Sequence, residues 1–261
     1  MIDKRAIVDE GVKLGKGVSI GPFSIIESNV EIGDGTKIGS HVVIRKNTKI
    51  GKNCRIYQFA SIGEIPQDLK FKGEETYVEI GDESVIREFV SIHRGTKLGG
   101  GLTKIGNRAF LMAYVHIAHD CRIGDNVILA NAVNLAGHIV IEDYAILGGL
   151  TAVHQFVRIG KYAFIGGMSG VAMDIPPFVK AAGNRTRLYG INTIGLKRHG
   201  FPDDVILALK RAYRIYFRKG LLSKEAIYEI KADPTLNKYR EVMDFVEFIE
   251  NSERGICRKS G

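Results

Sequence analysis

The chain has 261 residues, a formal net charge of +8 and 45% hydrophobic residues, enough for one large or two small domains. It contains no run of about 18 apolar residues, which excludes a membrane-spanning helix, and the residues after Met1 do not resemble a secretion leader. Its three cysteines lack the spacing of a disulfide framework, so we expect free thiols and a reducing, cytoplasmic location.

An aliphatic residue recurs every six positions through the first two thirds of the chain. The register has 27 positions in three runs, over 2–62, 80–98 and 105–171, with one extra residue before the third run. A period of six fits neither an α-helix nor a single strand, and it predicts a mainly β fold, a parallel β-helix solenoid of nine coils with three hexads each. Glycine follows the aliphatic residue in 13 hexads, and we interpret these glycines as sharp corners that need backbone freedom.

The longest interruption of the register follows Ile62. Successive hexads occupy three faces in turn, and counting Leu98 as a hexad places Ile62 on the second face. We therefore predict an excursion loop at about 63–79 that leaves the solenoid two coils below His119, on the same edge. Loops that leave a rigid scaffold often carry function, and a solvated loop is the alternative. The first polar residues of the loop are Asp68 and Lys70.

Polar residues that are scarce elsewhere meet on the third face of the middle coils. Residues 18 positions apart stack on one face, about 4.8 Å apart. In this stacking His119 and Gly137 share one column, and Asp120 lies in the next. The polar patch comprises His116, His119, Asp120, His138 and Gln155, with His154 beside it.

This patch predicts acyl transfer. His119 is the candidate general base, because an imidazole titrates near neutral pH and the adjacent Asp120 can orient it. Gly137 has no side chain, so its backbone N–H is free to face a reacting carbonyl oxygen, as an oxyanion hole requires. The alternatives are a zinc site built on His116, His119 and a third histidine, or polar surface residues without a functional role.

A different pattern follows the solenoid. The hexad register ends near two consecutive prolines, which mark a break, and apolar residues then recur at helical spacing. We predict two domains, a β-solenoid over 1–177 and an α-helical domain over 178–261 that caps the last coil. The predicted helices are 203–219, 222–231 and 236–252.

Basic residues are concentrated in residues 196–224, which carry a local net charge of +6. A solvated helix face is the simpler interpretation, and a docking patch for an acidic protein is the more specific one. Nucleic acid is less favoured because no recognition motif accompanies the charge. The docking candidates are Lys210, Arg211, Arg214, Arg218 and Lys219.

Several segments resemble the UDP-N-acetylglucosamine O-acyltransferase family, the acyl-carrier-protein-dependent first enzymes of lipid A synthesis. The resemblance spans nearly the whole chain, and hexads alone would indicate only the superfamily. Its most specific segments are IGEIPQDLKFKGE (62–74), SIHRGTKLGGGLTKIG (91–106), HIAHDC (116–121), NLAGH (134–138), GGLTAVHQF (148–156) and GLKRHGF (195–201).

The resemblance implies a homotrimer of left-handed β-helices with active sites between subunits and no cofactor or metal. It implies that His119 deprotonates the glucosamine 3-hydroxyl, which attacks an (R)-3-hydroxyacyl carrier protein, while Asp120 orients His119 and Gly137 receives the oxyanion. The basic patch would then dock the acidic carrier protein. Residues that match family positions near the sugar nucleotide, the pantetheine arm or the acyl chain are Asp68, Lys70, His116, His138, His154, Gln155, Gly167, Asn192 and Arg198.

The chain departs from the family pattern at three positions. Ile194 and His199 stand where relatives carry a polar or basic residue near the uridine, and Arg185 replaces a histidine near the end of the acyl groove. Uridine contacts and acyl length therefore stay open. The competing functions are the N-acyltransferase of the same pathway, which has an extra N-terminal domain, a sugar acetyltransferase, and a non-enzymatic assembly solenoid.

Overall fold

The computed structural model describes residues 1–257, which form a left-handed parallel β-helix followed by α-helices. Each coil contributes one short strand to each of three parallel sheets, the three faces of the solenoid. The first face contains β2 (Lys13–Leu14), β5 (Glu31–Ile32), β8 (Thr48–Ile50), β11 (Tyr77–Ile80), β14 (Leu102–Ile105), β17 (Arg122–Ile123), β20 (Val140–Ile141) and β23 (Arg158–Ile159).

The second and third faces repeat this arrangement. The second face contains β3 (Ser19–Ile20), β6 (Lys37–Ile38), β9 (Arg55–Ile56), β12 (Val85–Ile86), β15 (Phe110–Leu111), β18 (Ile128–Leu129), β21 (Ile146–Leu147), β24 (Phe164–Ile165), β26 (Val179–Ala182) and β27 (Arg187–Ile191). The third face contains β1 (Ile7–Val8), β4 (Ile25–Ile26), β7 (Val43–Ile44), β10 (Ser61–Glu64), β13 (Ser91–His93), β16 (His116–Ile117), β19 (Asn134–Leu135), β22 (Ala152–Val153) and β25 (Gly170–Val171).

The hexad aliphatics form the core. Ile117 pairs in register with Leu135, 18 residues later, and both side chains are fully buried. Burying one such side chain contributes about 1.5–3 kcal/mol, and the same contact repeats in every coil. The six-residue period therefore specifies the solenoid through a continuous stack of inward-facing side chains.

The glycines that follow the aliphatic positions serve a purpose other than the predicted one. Left-handed backbone occurs two residues later, for example at Phe23 and His138 (φ 61° for both). At Gly21 a Cβ would lie 2.7 Å from the carbonyl oxygen of Gly39 in the next coil. Glycine is required at such positions because adjacent coils approach closely there; Gly63, whose backbone is left-handed (φ 83°), is a position where the predicted backbone freedom applies.

The prediction that Leu98 is a hexad position is wrong. Residues 97–99 form a 3₁₀ turn, and the Leu98 side chain is 83% exposed. Because this hexad does not exist, each hexad before residue 98 lies on the face after the one that the count assigned to it. Ile62 lies on the third face, paired with Ile92, and the predicted assignment to the second face is wrong.

The shift leaves the position of the excursion loop unchanged. Strand β10 continues to Glu64 and β11 begins at Tyr77, so the loop itself spans 65–76. It leaves the solenoid where the chain turns from the third face to the first, a corner that we call the site edge. His119 follows β16 at the same edge, two coils above β10.

The parallel ladder extends beyond residue 177, because β26 pairs in parallel with β24 and β27 then returns antiparallel to β26. Helix α1, which was not predicted, precedes three helices close to the predicted segments. No helix within residues 1–257 is long and apolar enough to cross a bilayer. The helices are α1 (Thr193–Arg198), α2 (Asp203–Arg218), α3 (Ser223–Ala232) and α4 (Arg240–Glu250).

The helices pack on the end of the solenoid through the apolar face of α2, which contacts β27. The chain then returns to the solenoid, where Ile256 forms a parallel bridge with Asp174. The carboxylate of Asp174 is buried and accepts a hydrogen bond of 2.7 Å from the Ser252 hydroxyl. These contacts cover the last coil, as a solenoid end requires.

Candidate active site

His119 and Asp120 form a directly bonded pair at the site edge. The Nδ1 atom of His119 lies 2.8 Å from Oδ2 of Asp120, and the Asp120 side chain is almost completely buried while the His119 ring is partly exposed. An ionised carboxylate can only accept, so Nδ1 carries the proton and donates. The Nε2 atom of His119 is thereby left free to accept a proton from a substrate.

Asp120 is held as a carboxylate. Burial opposes its ionisation, but hydrogen bonds from His119 and from the side chain and backbone of Thr96 outweigh burial and lower the pKa of Asp120. Its backbone is left-handed (φ 61°), and its N–H donates to the Thr103 hydroxyl at 2.8 Å. Aspartate tolerates this conformation better than most residues.

Gly137 lies one coil above His119 and against its ring. A Cβ at Gly137 would lie 2.5 Å from the His119 Cε1 atom, so any other residue would displace the imidazole. The Gly137 N–H has no hydrogen-bond acceptor within residues 1–257. The structure therefore brings together a base, its orienting carboxylate and a free backbone donor.

His138 completes one side of this group. Its Nε2 atom is 3.8 Å from Asp120 Oδ2, its ring meets that of His119 edge-on, and it stacks on the Phe156 ring. Burial lowers the pKa of His138, although the charges of Asp120 and Asp68 oppose this shift. His138 is therefore predominantly neutral at pH 7.

His116 lies in the same coil as His119, and His93 lies one coil below. The His116 Nδ1 atom is 2.7 Å from the Ser91 hydroxyl, and the His116 ring meets His93 edge-on at 4.9 Å. Burial lowers the pKa of His116. Burial, followed by the neighbouring His116, lowers the pKa of His93 to about 4. Both rings are therefore predominantly neutral at pH 7.

The excursion loop lies over the same edge. Its residue Asp68 is close enough for its charge to act on His138, and the Asp68 carboxylate accepts from the Lys70 N–H at 2.9 Å. The Lys70 side chain is exposed. The guanidinium of the buried Arg94 lies 5.9 Å from the Phe71 ring, beneath the loop.

Two further predicted residues lie higher on the site edge. His154 and Gln155 are exposed and follow β22, two coils above His119. The His154 Nδ1 atom is 2.8 Å from Nη2 of Arg254, and the Arg254 Nε donates to the Ala172 carbonyl. The C-terminal segment therefore contacts the Nδ1 edge of the His154 ring.

Three predicted residues lie on other edges of the chain. Asn192 caps α1, accepting from the Gly195 N–H and donating to the Tyr162 carbonyl at the edge between the first and second faces. Arg198 is exposed at the end of the same helix. Gly167 is exposed at the edge between the second and third faces. A single chain therefore does not bring these residues to His119.

The residues that depart from the family pattern lie near this helix. The His199 ring meets both Tyr144 and Tyr162 edge-on at 5.2 Å, and the Ile194 side chain is exposed. His199 thus packs on two stacked tyrosines at the edge between the first and second faces.

The docking candidates lie on or just after α2 and all are exposed. Arg211 pairs with Asp233 at 3.0 Å, and Lys219 pairs with Glu229. Lys210, Arg214 and Arg218 have no ion pair within residues 1–257. These three cations line a groove with Tyr189 and Leu207, so the local positive charge is only partly neutralised.

A metal site remains the rival interpretation of the histidines. Ligand atoms of His119, Asp120 and His138 lie within 4.8 Å of one another, whereas the predicted set used His116. His116 instead faces the Ser91 hydroxyl. The hydrogen bond between His119 and Asp120 is the arrangement of a proton-transfer pair, which favours acyl transfer over zinc binding.

Sequence reasoning missed Thr96 and Thr103. Both bond to Asp120, but they lie 24 and 17 residues before it. The available signal was the glycine-rich stretch GTKLGGG, which a regular hexad repeat would not contain. Counting Leu98 as a hexad concealed that stretch.

Two family models match the chain. Residues 174–257 match the second domain of UDP-N-acetylglucosamine O-acyltransferase. Residues 11–46, 29–64 and 102–137 match the bacterial transferase hexapeptide. Together the two models cover parts of both the solenoid and the helical region.

Curated relatives and solved structures agree with these matches. The acyl-[acyl-carrier-protein]–UDP-N-acetylglucosamine O-acyltransferase of Thermodesulfovibrio yellowstonii is 53% identical, covering 98% of this chain and 99% of that protein. The protein of the same name from Sulfurihydrogenibium is 58% identical, covering 98% and 94%. The structure of the Francisella novicida UDP-N-acetylglucosamine acyltransferase aligns with a TM-score of 0.96 at 44% identity, covering 100% of this chain and 95% of that one.

Proposed function

The chain belongs to the UDP-N-acetylglucosamine O-acyltransferase family, and we propose on that premise that it transfers an (R)-3-hydroxyacyl group from acyl carrier protein to the 3-hydroxyl of UDP-N-acetylglucosamine. This reaction would be the first step of lipid A biosynthesis. The observation that carries the proposal is the contact of His119 with Asp120 beneath the free N–H of Gly137.

In the proposed mechanism His119 is the general base. With Nδ1 donating to Asp120, Nε2 removes the proton from the sugar hydroxyl as its oxygen attacks the thioester carbon. The carbonyl oxygen becomes an oxyanion that accepts from the Gly137 N–H. The attack forms the C–O bond of the new ester. Collapse of the intermediate then restores the carbonyl and breaks the C–S bond, and the imidazolium gives its proton to the pantetheine sulfur. A base, an orienting carboxylate and an oxyanion donor are sufficient for this reaction, so we propose no cofactor or metal.

Substrate binding is assigned by resemblance and by position. We propose that Asp68, Lys70 and His138 contact the sugar, that His116, His154 and Gln155 contact the diphosphate or pantetheine, and that Gly167 leaves room for the acyl chain. Asn192 and Arg198 would act from a neighbouring subunit, because they lie on another edge of the chain. Asn192 would contribute to that site chiefly by holding α1 in place, because its side-chain amide caps this helix.

Assembly and location are also proposed. A homotrimer is supported by an outward-facing apolar stripe on the second face, formed by Val85, Phe110, Ile128, Ile146 and Phe164. Such a stripe is unusual on a solvated sheet and is typical of a protein interface. The cysteines Cys54, Cys121 and Cys257 are free and buried, which supports a reducing, cytoplasmic location.

Product analysis with matched variants tests this function. Acyl carrier proteins with hydroxyacyl chains of different length, and acetyl-CoA, are each offered with UDP-N-acetylglucosamine and its 3-amino analogue, and the products are identified by mass spectrometry. We expect an ester from a hydroxyacyl carrier protein. Folded His119→Ala should be about 10²–10⁴-fold slower than wild type. Amide products, acetyl transfer or half-retained activity in His119→Ala would contradict the proposal.

A further inference from the structure

A glycine-rich turn, residues 95–101, encloses the buried carboxylate of Asp120. It lies between β13 and β14, where the solenoid corner is seven residues longer than a regular hexad would allow. Its only short helical element is the 3₁₀ turn at Lys97–Gly99, whose N-cap is Thr96. The regular repeat is therefore interrupted at the corner that faces Asp120.

Thr96 contacts both carboxylate oxygens. Its backbone N–H donates to Oδ1 of Asp120 at 2.8 Å, and its hydroxyl donates to Oδ2 at 2.6 Å. The same hydroxyl accepts from the Gly99 N–H at 3.2 Å, so its orientation is fixed from both sides. Oδ2 also accepts from His119, which places the Thr96 hydroxyl and the His119 ring on one oxygen.

The glycines of the turn allow this approach. A Cβ at Gly99 would lie 2.0 Å from the Asp120 Cγ atom, and a Cβ at Gly95 would lie 2.8 Å from Oδ1. The turn thus contacts the carboxylate through backbone and one hydroxyl. Asp120 cannot rotate without losing hydrogen bonds inside a buried site, where an unpaired charge is strongly unfavourable.

We propose that Thr96 is a positioning residue for the acyl transfer, which fixes the Asp120 carboxylate in the orientation that presents the His119 Nε2 atom to the substrate. The inference rests on the proposed function of His119 and Asp120. Thr96 acts through Asp120 and does not contact substrate. Its hydroxyl supplies a charge-assisted bond on the oxygen that orients the base.

A double-mutant cycle tests this role. Thr96→Val removes the hydroxyl and keeps the volume, and we expect kcat to fall roughly ten- to a hundredfold with KM nearly unchanged. Thr96→Ser should restore most of kcat. In an Asp120→Ala background the added Thr96→Val change should alter kcat by no more than about twofold, because the group it positions is gone.

Thr151→Val is the matched control. Thr151 is also buried in the solenoid, but its hydroxyl bonds the Gly166 carbonyl, so its loss should leave kcat unchanged. Thermal unfolding of each variant reports any general loss of fold. Full activity in Thr96→Val, or an undiminished effect of Thr96→Val in the Asp120→Ala background, would overturn the inference while leaving the proposed function intact. Near-normal activity in Asp120→Ala would instead contradict the proposed function.

Discussion

At the scale of single residues, the site is built from several histidines around one charged, buried carboxylate. Asp120 is 5% exposed and keeps its charge because three donors surround it. Burial lowers the pKa of His116 and of His138, which keeps both rings neutral at pH 7. The price of this arrangement is sensitivity to acid.

We predict that His93 contributes to acid destabilisation. Its pKa is lowered from 6.5 to about 4, chiefly by burial, so below pH 6.5 the unfolded chain binds a proton that the folded protein does not. Stability is therefore lost as the pH falls from 6.5 towards 4, by up to about 3 kcal/mol. Above pH 6.5 the ring is neutral in both states and contributes no pH dependence.

Urea unfolding of wild type and His93→Gln at one protein concentration, at pH 7 and pH 4.5, measures this contribution. We expect His93→Gln to lose less free energy of unfolding between the two pH values than wild type does. His116 and His138 remain in both proteins, so the difference measures the contribution of His93 together with its contact with His116. Equal losses in the two proteins would contradict the prediction.

At the scale of elements, short strands hold the aliphatic stack and the interruptions carry the chemistry. The excursion loop, 65–76, places Asp68 near His138, and the glycine-rich turn, 95–101, encloses Asp120. Helix α2 does not belong to the solenoid: it buries one face against β27 and leaves its cations exposed. This arrangement makes charge on α2 available to a partner.

We predict that Arg214→Glu combined with Arg218→Glu raises KM for acyl carrier protein at least tenfold at low salt. Reversing two cations removes attraction for an acidic partner and weakens the salt dependence of binding. The KM for UDP-N-acetylglucosamine should stay nearly constant. Steady-state kinetics at two ionic strengths measure both effects.

Lys16→Glu combined with Lys37→Glu provides the control for net charge. These lysines are exposed on the N-terminal coils, far along the solenoid from α2, and the pair makes the same change in total charge. The control should leave KM for the carrier protein close to the wild-type value. A similar rise in both double variants would assign the effect to net charge instead of a docking surface.

At the scale of the whole molecule, the proposed site residues are divided between edges of the solenoid. His119, Asp120 and Gly137 share the site edge, whereas Arg198 lies near the edge between the first and second faces. Within one chain these edges face different directions. Residues from both can serve one substrate only if a neighbouring subunit supplies the second edge.

This division predicts complementation between inactive variants. His119→Ala and Arg198→Ala should each lose most activity, but mixed subunits, produced by co-expression with two tags, should form some sites with both residues intact. A trimer that carries both tags contains both variants, and in either combination about one site in three joins a native His119 to a native Arg198, when each site joins two subunits. Activity of the purified hybrid should therefore approach about a third of the wild-type value.

The control hybrid mixes His119→Ala with Asp120→Ala. These residues come from the same subunit at every site, so no mixed site is intact and activity should stay at the level of the parents. Recovery in this hybrid, or none in the first one, would contradict a site shared between subunits. Sedimentation of both hybrids confirms that they assemble equally.

The sequence by itself determined the solenoid, the helical C-terminal region and the central part of the site. The six-residue period is a local property that repeats in every coil, and it converts spacing into position, so His119, Asp120 and Gly137 could be placed together without coordinates. The interval of 18 residues between His119 and Gly137 is the structural repeat itself.

Only the tertiary structure decided where the repeat fails. A periodic pattern cannot show that Leu98 is exposed, because one aliphatic residue at the expected spacing satisfies the count whether it faces inward or outward. The hydrogen bonds from Thr96 to Asp120 depend on the path of an irregular turn, and no period encodes that path. The edge to which Asn192 belongs was likewise set by packing of α1 after the repeat had ended.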